Sequence, residues 1–326
     1  MFLRIWIALA LALLPSTAMA RNIVLTNDDG LTSNVRALYL ALKEQGHDVI
    51  VSVPCSGQSG MSGAVKFMRP LGPLASDCLN IAAKSGDPGA GPMTRPGFED
   101  DFFYVDGTPI MSLMYGLDII AMKRWGKAPD LVLSGPNQGQ NVGYIVLNSG
   151  TVSNAQFAAT RGIPAIALSA GENTVDDAQL ANPNSAIVAR LSADLVNTLD
   201  LRSRKAVMLP AGVALNVNFP DALDGASWKA SRIGTYNFIQ MRFTDDIGKS
   251  ASPEMIAGAK ARGIALPNLP GVTVVRNDEE PRKDQLEDES IVYRKDISIS
   301  IMQVGYDAPA KARHWLSRNL KGFLGQ

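Results

Sequence analysis

Ile23-Val24-Leu25-Thr26-Asn27-Asp28-Asp29-Gly30 carries a short apolar run straight into two adjacent carboxylates and a glycine. An apolar run of this length, bounded by turn residues, reads as a buried strand ending in a charge pair. Neighbouring acids at such an edge repel each other and lose hydration, which is costly unless a cation or a proton lies between them. The same residues have a purely structural use, in which one Asp caps the next helix and the other is solvated.

Working outward, Ser33 offers a cap to a helix that sets Val35, Leu38, Tyr39 and Leu42 on one face and closes at Gly46. Asp48 to Val53 reads as a second buried strand, stopped by Pro54. Strand, helix and strand in so few residues imply a right-handed crossover and a parallel sheet. Ligands of such sheets sit beyond the carboxyl ends of the strands, where Asp28 and Asp29 fall. The pattern continues with a strand at Phe102–Asp106, a helix from about Met111 to Trp125, and a strand at Asp130–Leu133. A helix opened by Ser149-Gly150-Thr151 then reaches Arg161, and a strand follows at Ala165–Ser169. The fold class expected is α/β, a doubly wound, mostly parallel, Rossmann-like sheet, with a C-terminal extended arm and a closing helix.

Three loops reach the same sheet edge. Cys55-Ser56-Gly57-Gln58-Ser59-Gly60-Met61-Ser62-Gly63 has glycines that let backbone N–H groups approach an anion, although glycine and serine also fill ordinary surface loops. Ser134 to Gly143 is rich in amide side chains and glycines. The Ser149–Thr151 helix end presents unpaired N–H groups that suit a phosphate, or Ser149 or Thr151 simply caps its own helix. The run from Lys84 to Glu99 has five Gly or Pro in its first nine residues and reads as a mobile flap or a plain insertion.

Residues 1–20 are set aside from the fold. Arg4, the apolar run Ile5–Leu14, Pro15 and the small-residue ending Ala18-Met19-Ala20 read as a cleaved secretory signal, so an exported, periplasmic or secreted protein starting near Arg21 is expected. The 326 residues less these 20 suit one large α/β domain with an appendage, or two domains. With Arg4 removed from 31 basic side chains, 30 face 31 acidic ones. No long-range field marks a binder of nucleic-acid polymers or membranes, and a small partner is expected. The two cysteines, Cys55 and Cys78, are either a disulfide, which the exported context permits, or two inert buried thiols.

Asn27-Asp28-Asp29-Gly30, Pro54 with Ser59-Gly60, Gly107-Thr108-Pro109, Ser134-Gly135-x-Asn137 with Asn141, Ser149-Gly150-Thr151-Val152 and Leu215-Asn216-Val217-Asn218-Phe219-Pro220 occur in one order along the chain. In that order they resemble the SurE family of metal-dependent acid phosphatases and nucleotidases, over roughly Asn22 to Pro220. Each piece is weak alone, and their joint order at one sheet edge is specific. The resemblance implies a doubly wound catalytic domain over residues 21–235. Residues 236–326 would then form an arm, an antiparallel strand and a C-terminal helix, used in a homodimer or higher homo-oligomer. It also implies hydrolysis of small phosphomonoesters, typically nucleoside 5′- and 3′-monophosphates, with a divalent metal. Carried over residue by residue, Asp28, Asp29, Ser59 and Asn137 would be the metal ligands. Asp28, Asp29, Asn141 and Ser149 would be the catalytic set, with Asn141 and Ser149 where the family positions the phosphate.

The chemistry of those residues agrees: two carboxylates, a hydroxyl and an amide carbonyl are hard oxygen donors suited to Mg²⁺ or Mn²⁺. Where the family commonly continues Gly-Thr-Pro with Asp-Cys, this chain has Met111-Ser112, a departure that bears on packing or substrate contacts near the pocket. Two other classes compete. A serine hydrolase is disfavoured because neither Ser59 nor Ser62 completes Gly-x-Ser-x-Gly and the only histidines are His47 and His314. A non-catalytic metal- or nucleotide-binding module of the same fold is the other. Downstream, Ser185–Leu199 reads as an amphipathic helix, Val213–Phe219 and Trp228–Thr235 as strands, Thr244–Glu289 as a solvated arm, subunit contact or simple loop, Asp296–Met302 as an antiparallel strand and Pro309–Phe323 as the closing helix.

Overall fold

The computed structural model describes residues 20–174, 179–203, 207–253, 255, 256, 259 and 265–324. The expected export signal lies outside the described residues except for Ala20.

Strand β1 (Asn22–Thr26) is the axis of the molecule, and its neighbours show why so apolar a run is needed. It pairs in parallel with β2 (Asp48–Pro54) on one side and with β5 (Leu131–Gln138) on the other. A central parallel strand is covered on both faces, so it alternates between two cores rather than between core and water. Ile23 and Leu25 pack with Val35, Leu38 and Leu42 of α1 (Ser33–Glu44), whereas Val24 packs on the opposite side with Leu113 and Val152.

Sequence order alternates strand and helix, and the crossovers fill both faces. Nine strands run in the order β3-β4-β2-β1-β5-β6-β7-β11-β8. The flanking strands are β3 (Ala90–Pro92), β4 (Phe102–Val105), β6 (Ala165–Ala170), β7 (Val213–Asn218), β8 (Trp228–Ser231) and β11 (Ile297–Gln303). Pairing is parallel from β4 through β7; β3 is antiparallel to β4, and β11 is antiparallel to β7 while parallel to β8. A separate antiparallel pair, β9 (Ile239–Thr244) with β10 (Gly271–Arg276), occupies the region expected as an arm, with Phe243 and Val272 exposed.

From β1 the chain winds one way through α1 to β2 and β4, and the other way to β5, β6 and β7. The switch point therefore lies between β1 and β5, beyond whose carboxyl ends ligands of open α/β sheets bind. The face of the sheet on which Ile23 and Leu25 lie carries α1 and α5 (Pro183–Ser203); the face on which Val24 lies carries α2 (Pro109–Met114), α3 (Met122–Trp125) and α4 (Gly150–Thr160).

Several local expectations change. Thr32, not Ser33, caps α1: its side chain accepts from the Val35 amide, and Ser33 is the first helical residue. The helix expected over Met111–Trp125 is broken between α2 and α3 by a π-helical stretch, Tyr115–Ala121. The strand expected over Trp228–Thr235 ends at Ser231. The glycine- and proline-rich run after Lys84 is not a detached flap, because Ala90–Pro92 pairs with β4 and the Tyr104 hydroxyl bonds to the Pro88 carbonyl at 2.6 Å. The cysteines are joined as Cys55–Cys78 across a sequence separation of 23. The closing helix spans Ala310–Asn319, and Trp315 and Leu316 on it are exposed.

Candidate active site

The turn after β1 is built by Asn27. Its Nδ2 donates to the Gly30 carbonyl at 2.8 Å and its Oδ1 accepts from the Gly30 amide at 3.1 Å, which closes the chain on itself. Gly30 has φ +103°, which favours glycine, and a Cβ there would stand 3.1 Å from the Pro54 carbonyl oxygen, a tight contact. This turn presents Asp28 and Asp29 at the switch point, with Asp28 only 3% and Asp29 9% exposed.

Helix α4 is pressed against Asp28. Thr151 Oγ1 donates to Asp28 Oδ1 at 2.5 Å, and the Gly150 amide also bonds to the Asp28 carboxylate. A Cβ on Gly150 would meet Asp28 Cβ and Pro109 Cγ, each at 2.7 Å, so this close approach exists only because residue 150 is glycine. Burial raises the pKa of Asp28; the bonds from Thr151 and the backbone partly offset that rise. A second positive influence near this carboxylate would therefore be favoured. Ser149 is the N-cap of α4, its Oγ accepting from the Val152 amide at 3.0 Å.

Asn137 comes from the irregular end of β5. The register between β5 and β6 shifts between Ser134 and Asn137, and a bulge of this kind re-aims the side chains beyond it. Asn137 Nδ2 is committed to the Gly139 carbonyl at 2.7 Å, while its Oδ1 is buried with no hydrogen-bond partner. A buried carbonyl oxygen without a donor is costly, and a cation beside it removes the cost. The next residue reaches the acid pair, since the Gln138 amide points at Asp29 Oδ2 at 3.4 Å.

The loop bearing Ser59 is tied to the same turn through its backbone. The Gln58 amide donates to the Asp28 carbonyl at 2.7 Å, and Ser62 Oγ donates to the Leu147 carbonyl at 2.7 Å. Ser59 itself is exposed, and so are Phe67 and Met68 further along. An apolar cleft of about 460 Å³ opens beside this loop, lined by Ser62, Gly63, Ile110, Val152, Phe157 and Ile301 among others. It flanks the carboxylates and does not contain them.

Asn141 lies in a net of amides. Its backbone N donates to Asn218 Oδ1 at 2.8 Å, its carbonyl accepts from Asn216 Nδ2 at 2.9 Å and from Asn218 Nδ2 at 3.1 Å, and its Nδ2 donates to Ser169 Oγ at 2.9 Å. The carboxyl ends of β5, β6 and β7 are thereby joined around one residue. Sequence reading had no role for Asn216 and Asn218 beyond their place in a motif, and it missed Thr151 as a partner of Asp28. It also missed Asp288 and Glu289, which end a stretch expected to be solvated yet are fully buried.

Among the described residues no group of three or more His, Cys, Asp or Glu is placed to hold a metal, so any cation at this edge would rest on two carboxylates and neutral oxygens. Asp28, Asp29 and the partnerless Asn137 Oδ1 meet that need. They are hard donors of the kind Mg²⁺ and Mn²⁺ take.

Residues 23–240 match the family described as "Survival protein SurE". An acid phosphatase of Yarrowia lipolytica is 34% identical over 219 residues, covering 63% of this chain and 58% of that protein. A protein named 5′-nucleotidase SurE from Lawsonia intracellularis is 33% identical over 202 residues, 61% of this chain and 66% of that one. The chain thus spans less than two thirds of the length of these two relatives. In three dimensions it is similar to the crystal structure of the SurE protein from Aquifex aeolicus. The TM-score is 0.62 at 22% identity, covering 91% of this chain and 99% of the other, which bears on the fold alone.

Proposed function

The chain belongs to the SurE family, and we propose from that premise that it is a metal-dependent phosphomonoester hydrolase acting on nucleoside 5′- or 3′-monophosphates or similar small phosphomonoesters. The observation that carries this reading is the convergence at the β1/β5 switch point of two buried carboxylates with a buried amide oxygen that has no donor. The names of the relatives, acid phosphatase and 5′-nucleotidase, favour the same chemistry.

In this reading Asp28, Asp29, Asn137 and Ser59 hold a divalent cation, Mg²⁺ or Mn²⁺. When bound, the ion supplies charge neutralisation at the phosphoryl oxygens and a lowered pKa for a coordinated water. The protein's own residues do the rest. Thr151 and the Gly150 amide fix the Asp28 carboxylate in one orientation. Asn137 spends its N–H on Gly139 and so keeps its buried carbonyl oxygen free of a protein donor. Asn141, bonded to β6 and β7, and the Ser149 end of α4 orient the phosphate, and amides of the Ser59–Gly63 loop take up charge that develops on it. The apolar cleft beside Ser62 leaves room for the organic part of the ester.

Release of phosphate from a chromogenic phosphomonoester, with and without chelator, is the test. This reading expects turnover that chelation abolishes and Mn²⁺ restores. Turnover that ignores chelation would point to a serine hydrolase, and binding of metal without turnover would point to a non-catalytic module.

Export and self-association complete the proposal. A mature N-terminus near Arg21 in periplasmic or secreted material would support the first. The second rests on the exposed apolar side chains of the closing helix, Trp315 and Leu316, and is tested by the mass of the protein in solution.

A further inference from the structure

Glu289 begins the helical turn Glu289–Val292 and lies outside the residues that match the family. Its carboxyl group is fully buried. Oε1 accepts from the Gly143 amide at 3.0 Å, Oε2 accepts from Asn216 Nδ2 at 3.0 Å, and the Ser300 hydroxyl gives a third bond. The same Asn216 Nδ2 donates to the Asn141 carbonyl. One carboxyl group therefore grips both ends of Asn141-Val142-Gly143, directly at Gly143 and through one amide at Asn141.

Its neighbour fixes where it stands. Asp288 Oδ1 accepts from Arg232 Nε at 2.7 Å, and Oδ2 accepts from the amides of Thr235 and Tyr236 at 2.8 and 2.9 Å. Asp288 sits so close to the chain at residue 234 that a Cβ on Gly234 would stand 2.0 Å from its carboxyl carbon. The backbone at which Glu289 starts is thus anchored independently of the site.

We propose that Glu289 is a positioning residue that sets the backbone of Asn141–Gly143, and with it the Asn141 side chain, for the phosphate of the substrate. This rests on the role given to Asn141 above. Packing alone does not explain an acid here: burial pushes its pKa up to about 8, against the bonds from Ser300, Asn216 and Gly143, so the group is retained at a cost. With or without its proton a carboxyl group keeps an acceptor lone pair on each of two oxygens, and a glutamine keeps an acceptor on one. In Glu289→Gln the carbonyl keeps the Gly143 amide and the new N–H faces Asn216 Nδ2. Asn216 Oδ1 is buried without a partner, so this amide relieves the donor-to-donor contact by turning over. That carries Nδ2 away from the Asn141 carbonyl, which keeps only the bond from Asn218.

The test uses the full chain and inorganic phosphate as the probe, read both as inhibition of turnover and as protection against melting, so that phosphate binding is measured even if the hydrolase reading fails. In Glu289→Gln the constant for phosphate and the KM for a chromogenic ester should rise about tenfold, the worth of a buried hydrogen bond. The kcat at saturation and the Mn²⁺ concentration giving half activity should stay put. Asn216→Ala should give the same split, and the double variant should be no worse than either single one, because both break one chain of contacts. Unchanged phosphate binding in folded Glu289→Gln would overturn the proposal, and so would additive effects or an equal loss of Mn²⁺ affinity. If that variant does not fold, Ser300→Ala, which removes a single donor from the same group, should weaken phosphate several-fold, and an unchanged constant there overturns it equally. Wild-type protein that turns over ester without any chelator effect would remove the metal reading and leave the Glu289 experiment intact.

Discussion

The two walls of the site are built in opposite ways. On one, Asp28, Asn137 and Asn141 stand at the carboxyl ends of β1, β5 and the chain just beyond it; Asp28 and Asn141 are buried and bonded to other elements, and Asn137 is half-buried with its Oδ1 enclosed. On the other, the Ser56–Arg69 loop is largely exposed, with Phe67 80% and Met68 86% accessible, and is held by a few backbone anchors such as the Gln58 amide on Asp28 and the Thr108 hydroxyl on Ala64. Groups whose geometry decides the chemistry sit where packing over-determines them. The groups that must admit a substrate sit where few bonds have to break. Displacing the acids of the first wall should therefore be felt in turnover, whereas changes on the second wall, and changes that reach the phosphate through Asn141, should be felt in affinity or global stability.

The sharpest break of that contrast is Gly150→Val. The added side chain would collide with Asp28 and Pro109, and displacing an acid by an ångström should lower turnover on the order of 100-fold even in protein that remains folded. Full activity in this variant would mean that the first wall tolerates displacement. Next is removal of the bridge on the second wall. Cys55→Ser with Cys78→Ser should cost about 3 kcal/mol of stability, measured by denaturant unfolding, and leave the metal dependence of turnover unchanged. Ser59→Ala should weaken metal affinity by about three- to tenfold, with activity recovered at high Mn²⁺. An unchanged metal requirement would take Ser59 out of the ligand set.

The smallest effect is a slope. Glu289 holds its proton in the folded protein up to about pH 8 but loses it near the ordinary carboxylate value when unfolded. Its contribution to stability is therefore full below the unfolded value and declines as pH rises to about 8. Glu289→Gln should flatten the fall in melting temperature across that window relative to wild type, and an identical slope would show that burial does not raise this group.

How much of this could be read from the sequence follows the same division. The strand, turn and helix around Asp28 were legible because a short continuous apolar run, a glycine turn and a period of 3.6 succeed one another within the first few elements. Tyr115–Ala121 was not, since a π-helical stretch changes the backbone bonding without marking the side-chain pattern. Ala90–Pro92 has no strand propensity and pairs only because β4 offers an edge. Beyond Ser231 the chain takes partners more than fifty positions away, with the amides of Thr235 and Tyr236 bonded to Asp288, so the expected strand does not reach Thr235. Asp288 and Glu289 themselves close an acidic run that reads as solvated, and only the fold reveals that two members of it are buried. At the site, the acid pair and the amide loop announced themselves by composition. The fit of Gly150 against Asp28 and the partnerless oxygen of Asn137 are facts of packing.

The central claim, that Asp28 and Asp29 exist to hold a cation, is tested most directly by melting wild type and the Asp28→Asn, Asp29→Asn double variant with Mn²⁺ and with chelator, beside phosphate release from each. Wild type should gain about 2.7 kcal/mol at a metal concentration one hundred times its dissociation constant. The double variant should lose turnover, ignore Mn²⁺, and melt without metal at or above the temperature of metal-free wild type, because the repulsion between the two acids is gone. A double variant that still releases phosphate, or a wild type whose melting is indifferent to both Mn²⁺ and chelator, would contradict the account.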